Sequence, residues 1–468
     1  MFPWQQFAHN PDTMNLIALQ NSQGEVFSWL QLNQKIQHYV SVLQAQGVAC
    51  QTGVALCGKN DIQLLLLYLA TIQIGARVLP LNPAFSSEKI QQVCLDADIE
   101  FYYSLFALDV LNCKLINLEG APTTNKNEEK ERSVSEKFLS PATMTLTSGS
   151  TGTPKAVVHN VQAHLENAEG VCALMHFSQV DSWLLSLPLY HVSGQGIVWR
   201  WLLTGARLHF PQTDFYASVC EVTHVSLVPT QLQRLLAYWR EHQITHFKTQ
   251  HILLGGAQIP TELTQQLVSF GVKSYSGYGM TEMASTVFAK LSDDKPGVGQ
   301  PLLNREYQLV NQEIWLKGAG LAMGYWKKSD LLPLTNAQGW LQTKDQGEWL
   351  DNELVILGRI DNMFISGGEN IQPEEIEAVI YGKGNVNQVF VLPKGDSEFG
   401  QRPVAMIAFS EPFSTALVED LQNWLINKLE KFKLPVQYFP LEMEKFQQGA
   451  IKISRSTLQN ELKDLLGK

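Results

Sequence analysis

The sequence predicts an α/β protein with more than one domain, and three observations carry that expectation. Helical and strand-like segments alternate early in the chain: Phe27–Gln46 has apolar positions at helical spacing from about Ser28, Gly53–Cys57 is a short apolar run, Ile62–Ile74 reads as a buried helix, and Gly75–Pro83 as strand and turn. Such alternation builds a parallel sheet covered by helices. At 468 residues the chain is also longer than one ordinary core holds together. Far downstream, Pro373 followed by Glu374 and Glu375 marks a helix start, with acids at the positive end of the helix dipole.

Composition narrows the class. Apolar residues make up 45% of the chain, as in a soluble globular protein, while charged residues at 17% are somewhat sparse. A net charge of −10 argues against broad nucleic-acid binding. Six scattered cysteines without a C-x-x-C pair favour reduced, mostly buried thiols over a disulfide framework or a zinc site. No basic segment followed by an apolar core opens the chain, and the most apolar run, Leu64–Ala76, is interrupted by Gln73 and too short to span a bilayer. A cytoplasmic enzyme with no membrane insertion and no nucleic-acid partner is therefore expected, with homo-oligomerisation left open. Asn125–Glu136 is charged and polar and reads as an exposed linker.

The most informative stretch is Thr145-Leu146-Thr147-Ser148-Gly149-Ser150-Thr151-Gly152-Thr153-Pro154-Lys155. Hydroxyls and exposed N–H groups in such a turn can surround phosphate oxygens, and the lysine adds a mobile positive charge. It is not a Walker A loop. Counting from Gly149, Pro154 stands where the second glycine belongs and Ala156 where a magnesium-binding Ser/Thr belongs.

The stretch closely resembles the signature loop of adenylate-forming enzymes, the ANL superfamily of acyl-CoA synthetases, peptide-synthetase adenylation domains and luciferases. Further motifs follow in that family's order, from Pro80 to Arg455. Ser186–Gly194 resembles the segment whose aromatic-His pair, here Tyr190-His191, faces the acid pocket. His251–Pro260 reads as a strand entering a glycine turn, and Ser274–Glu282 as a repeat of that design. By resemblance, Gly255, Gly256 and Ala257 flank the adenine together with Ser276, Gly277, Tyr278, Gly279 and Met280, and Tyr278 stacks on the base. An aromatic face suits a planar base. Thr281 is implied to bond the α-phosphate, and Glu282, with Thr147, to hold magnesium. Gly318–Trp326 matches a stretch of structural character.

Asp345 is implied to accept the ribose hydroxyls, although Lys344 replaces the glycine of the family's Thr-Gly-Asp. In Gly358–Glu377, the resemblance assigns Arg359 to the ribose, Asp361 to the hinge between domains, and Gly367 and Gly368 to the coenzyme A arm. Lys452 is implied to be the adenylation lysine, although Ala450 and Ile451 separate it from Gly449 where the family has Gly-Lys. Together these imply a large N-terminal adenylation domain of mixed sheets and helices over residues 1–360 and a small α+β cap over 361–468, using ATP, Mg²⁺ and coenzyme A on a carboxylic acid.

A further resemblance bears on the acid. Gln195–Leu202, Ser276–Lys290 and the ending Lys452-Ile453-Ser454-Arg455 resemble a menaquinone-pathway branch whose aromatic substrate has two carboxylates, one of them activated. The second needs a cation or donors, for which His191, Arg200 and Ser285 are candidates. Gln195–Arg207 reads as one helix, and its Arg200 either snorkels to the surface, the reading slightly favoured, or meets a buried anion. Another aryl- or acyl-acid CoA ligase, a luciferase-like oxygenase and a non-catalytic nucleotide binder stay open.

Overall fold

The computed structural model describes residues 1–119, 133–147, 154–257, 259–366, 369–426, 428–446 and 453–466. Packing divides the chain into two compact units, Met1–Glu306 with Lys317–Leu341, and Tyr307–Leu316 with Gln342–Lys468.

The first unit holds two mixed sheets. The eight-stranded sheet contains β1 (Gly53–Cys57), β2 (Arg77–Leu81), β3 (Phe101–Ser104), β4 (Thr143–Thr147) and β5 (Lys155–His159). β1 pairs in parallel with β2 and β3, and β2 with β4, whereas β4 and β5 are antiparallel. Helix α1 (Ile62–Ile74) is apolar all round, which suits burial rather than an exposed face, and Leu64–Ile74 is buried throughout. Asp61 caps its start by accepting from Gln63 N at 2.7 Å, and Gly75 ends it at φ +91.

The nine-stranded sheet contains β6 (Ser182–Leu184), β7 (His224–Leu227), β8 (His251–Leu254), β9 (Lys273–Met280) and β10 (Ser285–Leu291). β6 to β9 pair in parallel in that order, and β10 returns antiparallel to β9. Helices α2 (Val161–Met175) and α3 (Val192–Thr204) pack on each other.

Two expectations need correction. The helix read as Gln195–Arg207 runs from Val192 to Thr204. Gly205 stops it in the left-handed region at φ +68, and Arg207 opens a short strand instead. The linker read as Asn125–Glu136 falls partly outside the described residues, but Ser133 and Glu136 form a capping box that starts a helix over Val134–Leu139.

The second unit is α+β. It contains β11 (Leu341–Leu350) and β12 (Glu353–Arg359), paired antiparallel, then α4 (Pro373–Tyr381), the antiparallel pair β13 (Val386–Asp396) and β14 (Gly400–Phe409), and α5 (Arg455–Leu466). Its core gathers Ile371, Ile376 and Ile380 beside Val389, Val391, Ala405 and Ile407. Helix α4 begins at Pro373 with both glutamates in its first turn, as the sequence predicts.

Candidate active site

Thr147 ends β4 directly opposite Lys155, which starts β5. Of the phosphate-loop candidates, Ser148, Gly149, Ser150, Thr151 and Gly152 lie outside the described residues. The Lys155 ammonium lies 4.9 Å from the centre of the Tyr325 ring, and the Tyr325 hydroxyl donates to Glu282 Oε1 at 3.0 Å. A cation and a carboxylate thus meet one phenol. Glu282 itself sits in the single turn Thr281–Met283 that follows β9. Buried Asn167 of α2 holds that turn, donating to Met283 O at 2.8 Å and Thr286 O at 3.0 Å. Tyr325 belongs to the stretch given only a structural role from its motif. The signal for more was an aromatic directly after Gly324.

β8 and β9 are neighbours with Leu254 opposite Ser276, which sets Gly255, Gly256 and Ala257 beside the start of Ser276–Met280. The second glycine stretch is not a turn, contrary to expectation. Ser274–Met280 is continuous strand with a register shift between Tyr278 and Gly279, and the turn begins at Thr281. Close backbone approach explains the glycine: a Cβ on Gly279 would lie 2.0 Å from Ser285 O.

His191 occupies the residue before α3, its ring 4.9 Å from that of Tyr190. Arg200 lies further along α3 and is 1% exposed. The surface reading is therefore wrong. Every residue from Gly194 to Leu202 is buried, so the stem has no route to water. Its Nη1 faces Ser226 Oγ at 3.5 Å and its Nη2 faces Ser285 Oγ at 3.4 Å. The guanidinium lies 5.1 Å from the Trp183 ring, and its Nε has no partner. Among the described residues no carboxylate pairs with it. Burial lowers its pKa to about 10, which leaves it a cation at neutral pH.

Ser285 presents its hydroxyl from a strained backbone at φ +128, directly after Ala284 at φ +55. Gly196 keeps the neighbouring space open, since a Cβ there would sit 3.2 Å from both Arg200 Nη2 and Ser285 Oγ. Ser226 was not singled out from sequence. It sits in an apolar strand with no motif around it.

In the second unit β11 and β12 set Asp345 opposite Arg359. Arg359 Nη1 donates to Asp345 Oδ1 at 2.9 Å, while its Nε and Nη2 donate to the two oxygens of Asp361 at 2.8 and 3.1 Å. Burial alone would raise the Asp361 pKa, but the Arg359 fork outweighs it and holds the carboxyl below its ordinary value. Lys344 adopts φ +62, a left-handed position that favours the glycine it replaces. Gly367, Gly368 and Lys452 lie outside the described residues. Three residues past Lys452, Arg455 donates to both oxygens of Glu377 at 2.7 and 2.6 Å and to Val391 O at 2.8 Å, anchoring α5 to α4 and β13.

The fold and these motif-bearing sites define an AMP-binding enzyme, and the model of that family matches residues 4–326. The chain is 60% identical over 462 residues to a 2-succinylbenzoate–CoA ligase of Haemophilus influenzae, covering 99% of this chain and 98% of that one. It therefore belongs to the 2-succinylbenzoate–CoA ligase family. A variant of Escherichia coli MenE with bound OSB-AMS superposes with a TM-score of 0.86 at 40% identity, covering 98% of each chain. O-succinylbenzoate coenzyme A synthetase (MenE) from Bacillus subtilis, in complex with ATP and magnesium ion, shares the fold at a TM-score of 0.80 and 24% identity, covering 94% of this chain and 96% of the other. Among the described residues no helix is long and apolar enough to cross a membrane.

Proposed function

We propose that this chain joins o-succinylbenzoate to coenzyme A in two half-reactions, the ligation used in menaquinone biosynthesis, and that it does so in the cytoplasm. A carboxylate is a poor acyl donor because its leaving group would be oxide. Attack of one carboxylate oxygen on the α-phosphorus of ATP forms an acyl-adenylate and releases pyrophosphate. The coenzyme A sulfur then attacks the acyl carbon, the C–O bond to AMP breaks, and the thiol proton leaves to solvent or base.

The observation that carries the substrate is Arg200, a buried cation whose partners among the described residues are serine hydroxyls and an aromatic face. A buried charge without a counter-charge is costly, and an arginine fork matches a carboxylate. Arg200 with Ser285 takes the carboxylate that does not react, and His191 borders the ring.

On the phosphate side, Thr147 and Lys155 with the loop between them hold the pyrophosphate portion, and Thr281 bonds the α-phosphate. Glu282, whose carboxylate accepts from the Tyr325 hydroxyl, would with Thr147 fit magnesium, which takes one or two carboxylates plus phosphate oxygens. Bound there, it supplies charge neutralisation between anions. Tyr278 stacks on adenine, Asp345 and Arg359 bind the ribose, and Lys452 offsets charge where carboxylate and α-phosphate meet. Thioester formation does not use Lys452, so a rotation at Asp361 exchanges it for the Gly367–Gly368 segment.

Pyrophosphate release with MgATP tests this, comparing o-succinylbenzoate with benzoate, 4-hydroxybenzoate and cinnamate, with and without coenzyme A. Turnover confined to o-succinylbenzoate, with thioester formed only when coenzyme A is present, is expected. Preference for a mono-acid would overturn the substrate and retain the ligase.

A further inference from the structure

The segment between β6 and α3 carries Tyr190 and His191, which the proposed function assigns to the acid, yet it is not part of a strand. Strand pairing leaves its backbone groups to find other partners. Leu185 N–H still donates to His209 O at 2.8 Å, and three of the other groups go to one side chain from the other sheet. Asn60, in the turn between β1 and α1, donates through Nδ2 to Leu185 O at 3.1 Å and to Leu187 O at 2.9 Å, and accepts from Leu189 N at 2.8 Å through Oδ1.

A second amide holds the same segment from the opposite side. Gln195, fully buried in α3, donates to Leu189 O at 3.2 Å and to Thr145 Oγ1 at 2.9 Å. Its own Oε1 accepts from Tyr68 Oη at 3.3 Å, and Tyr68 in turn accepts from Trp199 Nε1 at 3.3 Å. Thr145 lies on β4, two residues before Thr147. Leu189 is therefore held on its N–H by Asn60 and on its carbonyl by Gln195. Gly194 completes the fit: a Cβ there would lie 2.1 Å from Pro188 O, so only glycine lets α3 start this close to the segment.

We propose that Asn60 and Gln195 are positioning residues for the acid half of the reaction, clamping the Leu185–Leu189 backbone so that Tyr190 and His191 keep a fixed place relative to β4. Both amides are engaged by protein partners, Asn60 by Leu185, Leu187 and Leu189 and Gln195 by Leu189 and Thr145. The clamp acts through placement, where errors of about 1 Å at a reacting group cost roughly a hundredfold in rate. It rests on the assignment of Tyr190 and His191 to the acid pocket.

Asn60→Asp is the informative change, because it keeps the acceptor for Leu189 N–H and removes both donors. Two lost hydrogen bonds predict an acid KM raised about tenfold, with the KM for ATP moved less than twofold. Asn60→Ala removes all three hydrogen bonds, the acceptor for Leu189 N–H included, without adding a charge. Amide hydrogen exchange gives a readout independent of turnover: the Leu189 amide should exchange at least tenfold faster in Asn60→Ala, while the β8 amides keep their wild-type rates. Acid and ATP constants rising together, or an unchanged Leu189 exchange rate, would overturn the proposal. If wild type prefers another acid, the substrate assignment fails, and the clamp is judged by the KM for that acid and by the exchange rates.

Discussion

Tyr325 donates its hydroxyl to Glu282 Oε1 at 3.0 Å while the Lys155 ammonium sits 4.9 Å from the centre of the same ring. A carboxylate and a cation thus share one phenol, and the proposed function assigns both to the phosphate chain and its magnesium. Tyr325→Phe removes the hydroxyl and keeps the ring. Loss of one hydrogen bond to a charged group predicts a kcat/KM lowered about tenfold and a higher magnesium requirement. Initial rates across a magnesium titration check this, and an unchanged magnesium midpoint would count against a role for Tyr325 in holding Glu282.

Arg200 offers a sharper contrast between substrates. Arg200→Ala should lower kcat/KM for o-succinylbenzoate at least a hundredfold, the loss expected when one partner of a buried charge pair is removed, about 3 kcal/mol. A mono-acid such as benzoate makes no such pair, so any slow turnover it shows should change little. Equal losses on both acids would mean that Arg200 supports the fold of α3 rather than the second carboxylate.

The sequence was a good guide wherever structure is local. Gly53–Cys57 and Ile62–Ile74 are found at the predicted limits, the helix because Asp61 caps its start and Gly75 ends it. Arg200 was misplaced because its burial comes from α3 and the nine-stranded sheet together, with Trp183, Ser226 and Ser285 arriving from three separate strands of that sheet. The same holds for Tyr325, which meets Glu282 across 43 residues of chain. Residue chemistry predicted the strand-to-glycine pattern after His251. It misread Ser274–Met280, because a glycine needed for close strand crossing looks like a glycine needed for a turn.

Lys344 is a departure with a measurable cost. It holds φ +62 between Thr343, whose hydroxyl donates to Ile314 O at 2.6 Å, and Asp345, which Arg359 engages. Lys344→Gly relieves a left-handed non-glycine residue worth about 1 kcal/mol, partly offset by the greater freedom of glycine in the unfolded chain. A net gain of about 0.5 kcal/mol in chemical denaturation is expected. Destabilisation instead would show that the lysine side chain makes a compensating interaction.

Acid should weaken the first unit through its buried imidazoles. Burial holds His159 at about 3 and His251 and His209 at about 4, against an ordinary 6.5, with neighbouring cations adding to the depression of the last two. Unfolded, these rings take up protons as pH falls through 6.5; folded, they stay neutral until pH reaches 4 or below. The unfolded state therefore binds more protons throughout that window, so stability is fully present above 6.5 and declines as pH drops. His251 allows the effect to be isolated, since its ring stacks on His224 at 4.4 Å and 5° and its Nδ1 lies 2.9 Å from Tyr275 Oη. His251→Phe keeps an aromatic stack without a titrating group. Its melting temperature should start lower at neutral pH, from the lost hydrogen bond, and then fall less steeply than wild type between pH 6.5 and 4. Parallel curves would place the acid sensitivity elsewhere, in carboxylates such as Asp361 whose protonation breaks an arginine pair.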